Sequence, residues 1–185
     1  MSFVHLFTLE HGKLAYRADF ALYAGASFAL AAFLMIAAPR EKHLQIMAFA
    51  LIGLMGWTLV EYLLHRFVLH GLRPFSTWHA EHHHRPAALI STPTLFSATL
   101  IASLVFLPGL VLGGLWRACA LTLGMLAGYL AYSITHHASH HWGASRAWMK
   151  QRRHWHALHH SPSIPPGHYG VTSGFWDYVF GSRRR

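Results

Sequence analysis

Cysteine occurs once in this sequence, at Cys119. A lone thiol excludes an intramolecular disulfide framework, iron–sulfur clusters, c-type haem attachment and cysteine-ligated zinc. Acids are also scarce: 6 Asp and Glu stand against 15 Lys and Arg, a formal charge of +9 with histidine neutral. So few carboxylates make the soluble four-helix dimetal site, built on four Glu and two His, implausible. Any metal must therefore be held by imidazole. Charge of either sign is short, at 11% of 185 residues. Average soluble domains carry about 25%, so this chain has too little charge to cover a water-facing surface.

What is present is apolar, at 54% hydrophobic and 14% aromatic residues, which excludes disorder. Residues 20–38 run for 19 positions without a charge, bounded by Asp19 and Pro39. Residues 44–64 hold one acid, Glu61. Residues 92–116 and 118–135 give two more runs, split by Gly113, Gly114 and Arg117. A helix needs about 20 apolar residues to cross about 30 Å of hydrocarbon, so the fold class is all-α integral membrane with four transmembrane helices. The last two are expected to form a tight hairpin, with Pro108 kinking or shortening the third. Buried helices of a soluble protein would need polar outer faces that these runs lack. Residues 1–19 carry charge and no long apolar core before a cleavage site. They read as an interfacial amphipathic segment rather than a signal peptide, with Asp19 as a helix cap.

Four spans put the N-terminus, the central segment and the C-terminus on one side. That side holds Lys13, Arg17, Arg66, Arg73, Arg85, Arg146, Lys150, Arg152, Arg153, Arg183, Arg184 and Arg185, 12 of the 15 basic residues. Arg40, Lys42 and Arg117 lie on the other. By the positive-inside rule both termini are cytoplasmic. The basic residues form short collars beside apolar runs, which argues for lipid headgroups rather than nucleic acid. With no repeat and no linker, residues 1–185 read as one domain, in which 65–91 and 136–185 form a cytoplasmic helical cap.

Histidine is in excess, at 18 residues, and most of it lies in four clusters that this topology puts on one membrane face. They are His65 with His70; His79, His82 and His83; His136, His137, His140 and His141; and His156, His159 and His160. Residues at i, i+3 and i+4 share a helix face, so each HxxHH group can converge, as can the i, i+4 pair His136 and His140. His137 with His141 is an equally spaced pair. His65 and His70 would lie about 140° apart on a regular helix. They converge only if the helix distorts or each serves a different metal. Ten neutral imidazoles suit two first-row metals with about five ligands each, leaving one octahedral position open on each. His84, His154 and His168 fall outside these spacings, and His5, His11 and His43 read as solvated surface groups. Glu61, one turn before His65, can accept the second ring N–H of a ligating histidine.

These residues resemble the fatty acid hydroxylase superfamily of membrane-embedded, histidine-box diiron proteins, nearest its lipid 2-hydroxylase branch. The resemblance rests on Glu61-Tyr62 with His65 and His70, then His79-x-x-His82-His83. It continues through Tyr132-x-x-x-His136-x-x-x-His140 and His156-x-x-His159-His160 to the tail YGVTSGFWDYVFG at residues 169–181. It implies a four-helix membrane anchor whose cytoplasmic cap holds a histidine-rich dimetal site. The implied ligands are His65, His70, His79, His82, His83, His136, His140, His156, His159 and His160, and the tyrosine four residues before the third box favours His136 and His140 over His137 and His141. Two irons, O₂ and external electrons would hydroxylate an unactivated C–H bond of a fatty acid or sphingolipid acyl chain. Zinc fits the same cage without redox chemistry. Relatives often carry a cytochrome b5 domain for which this chain has no room, so a separate donor, a cytochrome b5 or ferredoxin system, is expected. Phe175, Trp176 and Tyr178 are candidates to line the acyl cleft or anchor the tail at the headgroups, and Asp177 to orient a ligand or pair with an arginine. Rival readings are a carotenoid or sterol oxidase, a desaturase, and a non-enzymatic metal transporter. Transporters place ionisable ligands near the bilayer midplane, whereas these apolar cores hold no histidine.

Overall fold

The structure, a computed structural model, describes residues 10–163 and 165–183. His5, Arg184, Arg185 and the start of the expected interfacial segment lie outside the described residues. Among the described residues eight α-helices follow in order: α1 (Lys13–Ala37), α2 (His43–Leu63), α3 (Phe75–His84), α4 (Thr94–Ile101), α5 (Leu107–Gly113), α6 (Leu115–His141), α7 (Ala147–His159) and α8 (Phe175–Val179). Four stretches are long and apolar enough to cross a membrane: Lys13–Ala37, Arg40–Leu69, Thr94–Gly113 and Leu115–His141. Their outward faces carry large apolar side chains, with Phe28 77% and Leu112 85% exposed. Water would not tolerate that pattern over four helices, whereas lipid is the matching solvent.

The helix boundaries follow from local chemistry. Pro39 cannot continue α1, and a 3₁₀ turn at Arg40–Lys42 leads into α2. The third span is interrupted by a π-helical segment at Ala102–Phe106, directly before Pro108 in the first turn of α5. Proline lacks an N–H and its ring crowds the preceding turn, so the distortion falls where the residue type demands it. Gly114, at φ 76°, makes the hairpin into α6, a backbone conformation that costs glycine nothing.

The chain divides into two compact units, residues 1–57 with 89–130 and residues 58–88 with 131–185. The first is packed through small residues. A Cβ on Gly53 would sit 2.2 Å from the Leu121 carbonyl oxygen, and one on Gly124 would sit 2.0 Å from that of Ala50. Backbone contact of this kind is how membrane helices associate where no hydrophobic force separates protein from lipid. Leu34, Cys119 and Ala120 form a buried cluster against Leu30, Phe49 and Trp116. Cys119 is therefore a small packing group.

Two expectations change here. Helix α1 begins at Lys13 rather than Phe20, so residues 13–19 continue the spanning helix instead of forming a separate interfacial one. Asp19 is consequently mid-helix and does not cap. Its buried carboxylate accepts the Thr94 hydroxyl at 2.5 Å, and one turn on Tyr23 bonds Ser97 at 2.7 Å. Polar groups inside an apolar unit are paired because an unpaired one is costly there.

Gly53→Ala is expected to lower the melting temperature in detergent, by an overpacking cost of about 1–3 kcal/mol. Gly25→Ala, with nothing within 4 Å of the added carbon, should leave it unchanged or raised. Circular dichroism melts of the two variants beside the parent check this.

Candidate metal centre

All ten histidines of the repeated spacings lie in the second unit, where the structure gathers them into two groups of five. One comprises His65, His70, His79, His83 and His159; the other His82, His136, His140, His156 and His160. Within each group one nitrogen per ring lies within 4.8 Å of all the others.

Each group is assembled from helical spacing. In α3, His79 and His83 join the first group while His82, between them, joins the second. In α7 and its C-terminal cap the roles reverse: His156 and the cap residue His160 join the second group and His159 the first. Each group is thus an i, i+4 pair from one box, the i+3 residue of the other, and a further pair from a membrane helix. For the second group that pair is His136 and His140, spaced i, i+4 on α6. For the first it is His65 and His70, five apart. Here α2 runs into a six-residue π-helix at Leu64–Leu69. The His70 N–H donates to the His65 carbonyl at 3.2 Å, an i to i+5 bond that brings residues five apart onto one face. The two groups abut at His83 and His160, whose rings stack at 4.1 Å and 11°.

The distances fit metal ligation. Nε2···Nε2 separations are 3.0 Å for His65 and His79, 3.1 Å for His83 and His79, and 3.1 Å for His70 and His159. In the second group they are 3.0 Å for His82 and His136 and 2.7 Å for His140 and His156. Metal–nitrogen bonds of about 2.1 Å at right angles put neighbouring nitrogens about 3.0 Å apart. The tautomers agree. His65 Nδ1 donates to the Tyr169 carbonyl at 2.6 Å and His159 Nδ1 to that of Gly167 at 2.7 Å. A carbonyl only accepts, so both Nδ1 atoms carry the proton and both Nε2 lone pairs face the group. Both ring nitrogens of His160 are buried without a hydrogen-bond partner, and a bound metal would satisfy one of them. The residues therefore fit two imidazole-held metal ions.

Burial, reinforced by neighbouring imidazoles, holds these rings neutral. It pushes His82 and His159 down to about 3 and His83 to about 4. His70, His79, His156 and His160 are lowered as well, each chiefly by burial.

The two carbonyls that orient His65 and His159 come from one tail segment, and the expected role of Glu61 shifts accordingly. Its buried carboxylate accepts the N–H of Val171 at 2.6 Å and of Thr172 at 2.9 Å, together with the Thr172 hydroxyl. Glu61 thus grips the tail, and the tail backbone accepts the imidazole N–H. Two adjacent N–H groups satisfy a desolvated carboxylate better than one ring N–H. Asp177, 1% exposed, does the same work from the other end. It accepts Tyr169 N–H and Gly170 N–H, both at 2.8 Å, and the Ser182 hydroxyl at 2.7 Å. Between the two orienting carbonyls His168 adopts φ 54°, uncommon for a residue with a side chain, and stacks on Trp155. Gly167 and Tyr169 act through backbone atoms, which residue-type reasoning does not see; the tail motif includes Tyr169 and leaves Gly167 out.

The remaining candidates lie elsewhere. His137 and His141 stack on each other at 4.4 Å outside both groups. His84 and His154 are exposed. Phe175 and Tyr178 are 58% and 74% exposed on α8. Trp176 is half-buried, donating to the Thr58 hydroxyl at 3.0 Å and stacking on Phe180. That geometry ties down the tail helix.

Asp177→Asn turns an amide N–H toward a backbone donor and should cost about 1–3 kcal/mol, read as a lowered melting temperature. A pH dependence follows from the neutral rings. In chelator-treated protein, stability should be undiminished above about pH 6.5. It should decline progressively below, because the unfolded chain takes up protons that the folded clusters refuse. Thermal melts from about pH 8 to about 4 check the sign.

The chain is similar in sequence to named hydroxylases. The ceramide very long chain fatty acid hydroxylase scs7 of Schizosaccharomyces pombe is 35% identical over 147 residues, 72% of this chain and 42% of its own length. The dihydroceramide fatty acyl 2-hydroxylase FAH2 of Arabidopsis thaliana is 35% identical over 141 residues, 70% of this chain and 58% of its own. The fatty acid 2-hydroxylase of Rattus norvegicus is 32% identical over 149 residues, 70% of this chain and 37% of its own. The chain spans about half the length of the curated relatives it matches. A solved structure of full-length scs7p, in which only the hydroxylase domain is visible, superposes with a TM-score of 0.79. It is 26% identical and covers 96% of this chain and 68% of that one. The fatty acid hydroxylase profile matches residues 50–182, most of the chain and all ten clustered histidines, and on that extent this protein belongs to the fatty acid hydroxylase family.

Proposed function

We propose that this chain is an O₂-dependent hydroxylase that inserts oxygen into a lipid acyl chain of the fatty acid or ceramide type. The observation that carries it is the pair of adjoining five-imidazole clusters, in a chain whose relatives are named fatty acid and ceramide hydroxylases. His65, His70, His79, His83 and His159 hold one metal; His82, His136, His140, His156 and His160 hold the other. Five imidazoles leave one octahedral position for an exogenous ligand. When bound, a pair of redox-active ions, iron by the family resemblance, supplies the O₂ and electron chemistry that zinc in the same cage would not.

The chain's own residues do the positioning. The Tyr169 and Gly167 carbonyls fix the rings of His65 and His159 and raise their basicity as ligands. Glu61 and Asp177 hold that tail segment against the first cluster. Phe175, Trp176 and Tyr178 form an aromatic tail helix suited to the headgroup region, where one face is apolar and the other wet. The excess of Lys and Arg beside the histidine-bearing segments puts both termini and the metal centre on the cytoplasmic side. Electrons come from a separate carrier.

The test is lipid analysis of cells with and without the protein, grown under ¹⁸O₂. An acyl chain carrying one ¹⁸O atom is the expected product. A new double bond without label, or an oxygenated ring, would replace this reading with a desaturase or a carotenoid or sterol oxidase. His82→Ala and His159→Ala should each insert into the membrane and lose product by about 100-fold or more. Metal content should fall toward one ion per chain in each. Unchanged metal and product in both would defeat the ligand assignment.

A further inference from the structure

The second cluster has its own opening, and its chemistry differs from that over the first. A cleft of about 640 Å³ is floored by His140, His156 and His160 and rimmed by Lys150, Arg153 and His154. The cleft over the first cluster is smaller, about 280 Å³, and is lined by groups such as Leu69, Ser76 and His84 with no Lys or Arg. The asymmetry comes from α7. Arg146, Lys150, Arg153 and His154, at i, i+4, i+7 and i+8, share one helix face, and α7 contains no acid. Lys150 and His154 are exposed. Arg153 Nη1 donates to the Trp142 carbonyl at 2.6 Å, and Trp142 is 53% exposed.

Among the described residues of this unit no acid is free to neutralise the rim. Among the described residues of the unit the acids are Glu61, Glu81 and Asp177. Glu61 and Asp177 are buried on tail N–H groups, and Glu81 is bound to Arg85 at 3.2 Å. An exposed tryptophan among basic groups is the composition of a protein-binding surface.

We propose that the Lys150–Arg153–His154 rim is the docking site of an acidic one-electron carrier protein, making the second cluster the point of electron entry. The proposal rests on the hydroxylase reading, whose balance is R–H + O₂ + 2 e⁻ + 2 H⁺ → R–OH + H₂O. The carrier supplies the two electrons in two encounters. Imidazole edges at the cleft floor bring the ligand shell to the surface, which shortens the path from a docked donor. An anionic bilayer would match the rim's charge but has no use for that floor.

The experiment uses the full chain in zwitterionic nanodiscs and, as probe, the soluble haem domain of a cytochrome b5. Binding is measured at low and high salt, and haem-to-metal electron transfer is followed by stopped flow. Lys150→Glu/His154→Glu should weaken binding about tenfold or more at low salt and flatten its salt dependence. Reduction of the metal by dithionite should be unchanged. Arg73→Glu, an exposed charge reversal in the same unit, should bind like the parent. Parental binding by the double variant would overturn the proposal. So would an equal loss in Arg73→Glu, or a loss confined to phosphatidylserine vesicles. A parent that binds the carrier with this dependence yet hydroxylates no lipid would count against the hydroxylase reading and leave the surface standing.

Discussion

A neutral imidazole has one lone pair, and aiming it at a chosen point requires that its proton be held somewhere else. In this protein ten rings converge on two points, and the fold around them serves that requirement. Burial keeps the rings unprotonated, with His82 and His159 held near 3 and His83 near 4. For His65 and His159 the proton stays on Nδ1, held there by hydrogen bonds to the carbonyls of Tyr169 and Gly167. Those carbonyls face the cluster because Glu61 and Asp177 clasp the tail backbone beside them. Two buried carboxylates thus act on the imidazoles through the main chain, at one remove.

The division of each HxxHH box between two clusters follows from helix geometry. Residues four apart differ by about 40° around the axis, whereas the residue three along falls to the other side by about 60°. One helix therefore feeds two neighbouring points. A second helix with the same spacing and reversed roles brings each cluster to three rings, a pair and a single. The remaining pairs must come from the membrane helices. His136 and His140 already have α-helical spacing. His65 and His70 do not, and the π-helical segment at Leu64–Leu69 makes up the difference.

The same economy explains the apolar unit. Gly53 and Gly124 let backbones touch where a side chain would collide. The pairs Asp19 with Thr94 and Tyr23 with Ser97 satisfy polar groups that lipid cannot. Large apolar side chains then face outward, where a soluble protein would place charge. Glycine at these crossings costs little because lipid competes poorly with close van der Waals contact.

Much of this was legible in the residues alone. Four spans could be counted because a bilayer sets the length of an apolar run, and eight of the ten histidines stand at helical spacing, His136 and His140 being preferred to the equally spaced His137 and His141 by the family resemblance alone. Local periodicity carried both, since it depends only on neighbours in the chain. What it could not carry was anything set by residues far apart in sequence. That Asp19 would bond Thr94 rather than cap a helix, or that Glu61 would grip Val171 and Thr172 rather than an imidazole, depends on segments brought together by folding. Likewise, whether His65 and His70 share a metal point turned on a helix distortion that their spacing made conditional. The two carbonyls that orient the ligands were invisible for a simpler reason: every residue carries one, and only the tertiary structure decides where it points.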